Sequence, residues 1–504
     1  MADEPLSPGA VSIPEQSGVL AEPWSIGKLG RMMTLFGPAA IVASVSIGAG
    51  ETIVVVQAGA WAGYNLLWLV LASVLVKGIC ATYLLGRYTA VSGELIGHRL
   101  VRLPGPRGWL LLAIILLELA AAGPLWAAIA GPSGDLIYYL LQQGATLFGA
   151  DAASPLGGIP PVTWKSLFAT LLILAAIVLG AGATLKSLER QQIMICLILV
   201  LGTIVGTLLV WPDFRAALFG MLHVGYVPAV PSWAPEAVRD QPVRLTMTTT
   251  FGYVGGSVMC YTAYANWVGI HRWGLNSHAN IESIRRRAAA GQPGDYLPND
   301  AHEASRLRRL VAPLRWDVSL GAIVLFIVTA SFMMAGAAAL YPRLASGEAA
   351  SMFSGWNLLT DQAHIWREIH PALVAVYYVC VLAALWGTLQ SYPEIYSRVT
   401  HEFLAAIWPE WPISFGKLQL AICIYVFAAS VGLTWSGVQF TTLTNIVAFL
   451  TTNMAVALAM LSALWLNFQL PPLYRTRPWM LAAGIVSAVI LVTVSVISGW
   501  ELLR

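Results

Sequence analysis

The sequence predicts an all-α polytopic membrane protein of about eleven transmembrane helices, arranged as an inverted five-helix repeat with broken helices 1 and 6. Three observations predict it. Hydrophobic residues make up 58% of the chain against 11% charged, with a mean hydropathy of +0.71, a balance foreign to water-soluble globules. Apolar runs long enough to cross a bilayer recur along the whole sequence. Two of these runs are interrupted by glycines at corresponding places in two halves of the chain, which is the mark of an inverted repeat.

Residues 1–27 are rich in Pro, Ser, Gly and Glu, lack an apolar run of signal-peptide length, and read as a disordered cytoplasmic tail. The membrane domain occupies 28–504. Its first span, Gly37 to Ala60, carries Gly48-Ala49-Gly50-Glu51 at its middle. Glycines raise the entropic cost of staying helical there, and a carboxylate near the bilayer midplane needs water, protein or an ion beside it. Spans follow at Asn65 to Tyr88, Trp109 to Ala130, Trp164 to Ala183 and Glu189 to Trp211, then a polar, Pro-rich outside loop to Val243. The sixth span, Leu245 to Val268, is weakened by Gly252, Gly255 and Gly256 just before Val258-Met259-Cys260-Tyr261. A loop rich in arginine, Gly269 to Arg315, precedes spans at Asp317 to Tyr341, Pro371 to Tyr392, Leu418 to Trp435, Thr441 to Leu466 and Pro478 to Trp500. Repeat one then covers about 32–211 and repeat two about 244–466, with 478–500 as an extra helix.

With the N-terminus taken as cytoplasmic, inside segments receive 20 of the 28 Lys and Arg residues, so the positive-inside rule places the C-terminus outside. The net charge of +3 reflects these loop arginines rather than an anionic partner, and no nucleic-acid signature is present. All five cysteines fall inside apolar spans, so no disulfide framework is suggested. No His-Glu-x-x-His run or nucleophile motif supports an enzyme.

A broken span that lines a site offers unwound carbonyls, here near Val45 and Gly256, to a cation. Glu51 would add one negative charge, and Met259 and Cys260 would add sulfur, which favours Mn, Fe or softer ions over Ca and Mg. Each residue also has a plain structural reading. Glu51 caps a half-helix, Met259 fills space, Cys260 is an inert small hydrophobe, and Lys77 with Glu118 forms a buried pair on neighbouring helices.

The run GPAAIVASVSIGAGETIVVVQAGAWAGYNLLW resembles the first two helices of the natural resistance-associated macrophage protein (NRAMP) family of divalent-metal transporters, through Gln57-Ala58-Gly59-Ala60 and Gly63-Tyr64-Asn65-Leu66-Leu67-Trp68. The resemblance continues through Ser187-Leu188-Glu189 and Gly256-Ser257-Val258-Met259, and implies a leucine-transporter-like fold. It also marks departures that set the chain in a divergent branch. Gly48 stands where the family carries its metal-binding Asp, Ala49 replaces Pro, and Glu51 replaces the Asn ligand. Met259 keeps the thioether ligand, Cys260 and Tyr261 replace a Pro-His pair tied to proton handling, and Asn445 looks like the family's Gln ligand shortened by one methylene. Asn445 can equally bridge helices through hydrogen bonds. Glu118 looks like a proton-pathway Asp, while Ala121 replaces the Glu one turn later.

The resemblance implies a secondary transporter that moves a divalent metal ion, Mn- or Fe-like, by alternating access. The alternatives are a related carrier for Mg or a small non-metal solute, and a non-transporting metal sensor on the same scaffold. Glu118, Tyr261 and Lys77 are the candidates for a proton pathway, and the lost Asp, His and Glu predict weak coupling or none. The expected partners are the divalent cation and the lipid bilayer, with no cofactor and no protein partner. A bacterial inner membrane fits a multi-span protein of this kind.

Overall fold

A segment crossing lipid must satisfy its own main-chain N–H and C=O groups, and helices do this alone. The computed structural model describes residues 11–15, 19–23, 25–48, 50–147, 160–347 and 358–504, and these form helices and turns without a strand. Ala49 and residues 1–10, 16–18 and 24 of the expected tail lie outside the described residues.

The first repeat begins with α1 (Ile26–Met32), turns by 68°, and enters the bundle as α2 (Pro38–Ser46). After the break, a π-helical stretch Gly50–Val55 runs into α3 (Val56–Ala62). The chain reverses at Gly63 and descends as α4 (Leu67–Ser73), a π-helical stretch Val74–Ala81 and α5 (Thr82–Ser92). The reversal shows in the neighbours: Gly63 lies against Tyr341, Gly59 against Met333, and Gly86 back at Leu314. Short α6 (Ile96–Leu100) leads to α7 (Trp109–Leu147), α8 (Pro161–Ala181) and α9 (Leu185–Val210). The loop after α9 holds α10 (Phe214–Leu222) and α11 (Glu236–Arg239).

The second repeat opens with α12 (Val243–Tyr253), a break, and α13 (Val258–Ile270). The basic loop folds as α14 (Ile281–Ala289) and α15 (Ala301–Leu310). Next come α16 (Ala312–Ala335), which passes through a π-helical stretch into α17 (Tyr341–Ala345), and α18 (Leu358–Ile369). The bundle closes with α19 (Pro371–Ile407), α20 (Phe415–Ser436), α21 (Phe440–Val447), α22 (Ala455–Gln469) and α23 (Pro478–Leu502). The third span of each repeat is far longer than expected, α7 with 39 residues and α19 with 37. Both carry proline inside the helix, Pro124 and Pro132 in α7 and Pro393 in α19, which membrane helices tolerate.

Among the described residues nine helices are long and apolar enough to cross a membrane by themselves. The difference from eleven has a geometric cause. Gly50 to Ser92 is one continuous helical run that contains a hairpin, and the sixth span consists of two halves of 11 and 13 residues.

The broken spans form the interior. Every residue of α2, and every residue of α13 up to Gly269, is buried. Around them α8, α9, α20 and α23 turn Leu171, Leu201, Ile424 and Val489 outward, as lipid-facing surfaces require. The expectation of a disordered tail is corrected at residues 11–15. Val11 and Ile13 are buried, with the Val11 N–H donating to the Tyr296 carbonyl at 3.2 Å and the Ile13 N–H to the Glu303 carboxylate at 2.9 Å. Two apolar side chains in a polar stretch were enough to dock it against the basic loop.

Candidate functional site

A broken helix leaves carbonyls at the end of one half and N–H groups at the start of the next, and these ends select what lies between them. In this protein side chains occupy all four ends. The carbonyl end of α2 is capped from α19, whose Thr388 hydroxyl donates to the Val45 carbonyl at 3.1 Å. Thr388 also fills the space beside Gly48: a Cβ there would lie 2.7 Å from its Oγ1. A side chain at Gly48 is therefore excluded unless Thr388 moves.

That carboxylate is Glu51. It is fully buried, and one oxygen accepts the Gly48 N–H at 3.1 Å, so the half-helix-capping reading is realised. The Gly255 N–H lies close by, yet the other oxygen, Oε1, has no hydrogen-bond partner. A buried oxygen left this way costs about 1–3 kcal/mol and is the position where a cation would gain most.

Opposite it, α12 ends at Tyr253 and the backbone turns through Gly255, whose φ of 103° favours glycine. The exposed carbonyls are taken by the second span. Lys77 Nζ donates to Phe251 O at 2.8 Å and Gly252 O at 2.7 Å, and Ser73 Oγ donates to Phe251 O and Val254 O. Lys77 and Glu51 are close enough to interact electrostatically, but they make no direct ion pair. The lysine thus occupies the carbonyl end of α12. The expected Lys77–Glu118 pair is corrected, because the π-helical stretch Val74–Ala81 turns Lys77 toward α12.

The N–H end of α13 is divided between two groups. The Tyr261 hydroxyl accepts the Gly256 N–H at 2.9 Å and, with Lys77, flanks Gly255. Glu118 on α7 reaches the other side, bonded to Thr451 and facing Ser257 and the Met259 N–H. Cys260 lies near the Ser257 hydroxyl at 3.6 Å, and Gly256 packs against both Cys260 and Ser46. Met259 is wholly buried among apolar neighbours. Of the three proton-pathway candidates, Lys77 and Tyr261 therefore share a neighbourhood, and Glu118 belongs to a separate one.

Asn445 is not brought to the breaks. Its amide donates to Gln241 at 2.9 Å, its oxygen accepts from Thr249 at 2.7 Å, and it lines a small polar cavity with Gln57 and Trp61. The side chains of that span which meet the break lie in the π-helical stretch Ala448–Met454. Thr452 packs on Gly252, and Asn453 donates to the Thr248 carbonyl at 3.1 Å while its buried oxygen is unpartnered. An Asn inside an apolar run was the signal for Asn453, and the phase shift of the π-helical stretch hid it.

The site is shut on both sides. At one end Gln362 of α18 donates to the Thr52 carbonyl at 3.1 Å. At the other end buried Asp317 of α16 accepts the Gly37 and Ala39 N–H groups and the Tyr264 hydroxyl, each at 2.9 Å. Beside it Glu189, from the Ser187-Leu188-Glu189 run, meets His271 at 2.5 Å. Sequence reading took Asp317 as a span boundary, although an ionisable residue opening an apolar run is itself a signal. Among the described residues, the one cluster of His, Cys, Asp or Glu with metal-ligating spacing is the surface group Asp300, His302 and Glu303, far from these breaks in the basic loop.

Known proteins place this arrangement. The fold is similar to a manganese transporter of Eremococcus coleocola, solved in complex with an aromatic bis-isothiourea compound, with TM-score 0.64 at 14% identity over 95% of this chain and 88% of that one. It is also similar to MhsT in complex with L-phenylalanine, with TM-score 0.51 at 16% identity over 91% and 98%. No curated protein matches. Residues 39–501 match the family described as natural resistance-associated macrophage protein-like, and the chain, an integral multi-pass membrane protein, belongs to that family of transporters.

Proposed function

We propose that the protein is a secondary carrier that moves a divalent metal ion across the membrane by alternating access around the breaks in its first and sixth spans. The observation that carries this reading is the buried Glu51 oxygen without a partner, held at a half-helix end in a site shut on both sides. Glu51 supplies the charge, Asn453 a second free oxygen, and the α12 carbonyls become ligands when Lys77 withdraws. Met259 and Cys260 at the start of α13 favour Mn- and Fe-like ions if their sulfurs reach the ion. Asp317 and Gln362 are the inner and outer closures that alternate. With Tyr261 and Ala121 in place of titrating groups, the carrier is weakly coupled to protons or uncoupled. The distribution of basic residues supports a cytoplasmic N-terminus and an outside C-terminus, in a bacterial inner membrane.

A second reading, a carrier for Mg or for a small non-metal solute, is favoured by Lys77. A fixed ammonium on the α12 carbonyls suits a solute that brings its own negative group better than a bare soft dication. Uptake into proteoliposomes across Mn, Fe, Co, Mg and Ca separates the two. Accumulation of Mn or Fe that is lost in Glu51→Gln supports the first; no accumulation of any divalent ion overturns it.

A further inference from the structure

The face of the bundle that bears the basic loop contains a cavity of about 560 Å³ between α5, α16 and the start of α23. Five guanidinium groups line it: Arg87, Arg308, Arg315, Arg475 and Arg477. Arg87 is 8% exposed, donates to the Tyr474 carbonyl at 2.6 Å, and lies within electrostatic range of Arg308 and Arg315. Arg308 and Arg475 reach the Leu473 and Leu470 carbonyls. Among the described residues none of the five joins an ion pair with a carboxylate. The acids at the start of α15 are engaged elsewhere, Asp300 in capping that helix and Glu303 with Arg306.

Like charges gathered on one wall repel, and the wall of a cavity screens them less than open water does. An anion removes that cost. The same cavity has an apolar side of Ile79, Val318 and Met480, and Trp479, 67% exposed, stands at the first turn of a helix entering the bilayer. Exposed Trp at that depth marks the headgroup level. A ligand with a phosphate at one end and hydrocarbon at the other matches both sides, and arginine forks fit phosphate oxygens in pairs.

We propose that this cavity binds an acidic phospholipid, its headgroup phosphate among the five arginines and its acyl chain along Ile79, Val318 and Met480. The inference is independent of the transported substrate.

The test is native mass spectrometry and thermal melting of the delipidated full chain, titrated with phosphatidylglycerol, phosphatidylcholine or inorganic phosphate. Phosphatidylglycerol is expected to stay bound and raise the melting temperature, with phosphatidylcholine and free phosphate far weaker. Arg308→Gln and Arg477→Gln each lower the phosphatidylglycerol affinity by roughly fivefold, the usual worth of one juxtamembrane basic residue. Lys417→Gln, an exposed charge on the same face but away from the cavity, leaves it unchanged. Both arginines are exposed, so the variants should fold, and Arg315→Gln provides an independent repeat. Equal affinity for the two lipids, a double variant that binds like wild type, or free phosphate matching the lipid would each overturn the proposal.

Discussion

Replacing Lys77 with methionine tests the site most directly, because one atom of that side chain separates the two substrate readings. Phe251 O keeps its bond from Ser73 at 2.9 Å when the ammonium goes, so Gly252 O is the carbonyl left without a partner. That costs about 1–3 kcal/mol. Glu51 also loses its nearest opposite charge, and the melting temperature of the metal-free protein should fall. Binding moves the other way. A dication about 5 Å from an ammonium, at an effective dielectric near 20, is repelled by about 7 kcal/mol. Lysine can withdraw along its flexible stem, so only part of this is recovered; a tenfold gain in affinity needs about 1.4 kcal/mol. Lys77→Met is therefore expected to bind Mn²⁺ at least tenfold more tightly, read by equilibrium titration and by a steeper rise of melting temperature with added MnCl₂. Lys77→Gln, which can still donate to one carbonyl, should show the affinity gain with a smaller loss of stability. If both variants fold and bind Mn²⁺ no better than wild type, Lys77 does not hold the metal's place and the reasoning fails.

Four further outcomes follow from the same geometry. Glu51→Gln keeps an oxygen for the Gly48 N–H, so the protein should melt near wild type while losing at least tenfold in divalent affinity; an unchanged isotherm would reject Glu51 as a ligand. Met259→Ala should cost about 2–5 kcal/mol as a core truncation and weaken Mn or Cd more than Mg or Ca, whereas equal losses would mean packing alone. Vesicles loaded with a pH-sensitive dye and given a metal gradient should show little metal-driven acidification, and robust acidification absent from protein-free vesicles would sink the weak-coupling proposal. Outside the bilayer, Arg306 and the Ile13 N–H hold the Glu303 carboxyl below its ordinary 4.5. A depressed native value gives stability that is present above the unfolded value and lost as pH falls through the native one. Residues 11–15 should accordingly stay docked near neutrality and release only as pH falls below the ordinary carboxylate range, seen as faster hydrogen exchange at Ile13, and Glu303→Gln should abolish that dependence.

The fold was legible because its signals are regional. Long apolar runs, arginine-rich loops and two glycine-weakened spans survive small errors of boundary, and the breaks fall where the glycines are. The site was legible only in part. Glu51 announced itself as a carboxylate in mid-span, and capping and a free oxygen both proved true of it. Asn445 is a ligand candidate by resemblance alone; it bridges to Gln241 and Thr249, its plain structural reading, while the π-helical stretch after Val447 presents Asn453 to α12. Lys77 misled because a lysine inside an apolar span demands a partner, and a carboxylate on a neighbouring helix was the obvious choice. Carbonyls freed by a broken helix are partners that no residue type reveals.

The internal cation has a consequence for the energetics of turnover. Glu51 and Lys77 carry opposite formal charges that cancel when both are ionised. In the proposed carrier the empty site then adds no net charge for the membrane potential to pull on, and its return is expected to depend little on voltage. Loading a dication changes this, adding about 4.6 kcal/mol of electrical work per 100 mV if the whole field is crossed. Uptake driven by a negative interior would then rise with voltage only until the weakly voltage-dependent return becomes limiting, giving a plateau in the current–voltage curve at high metal concentration.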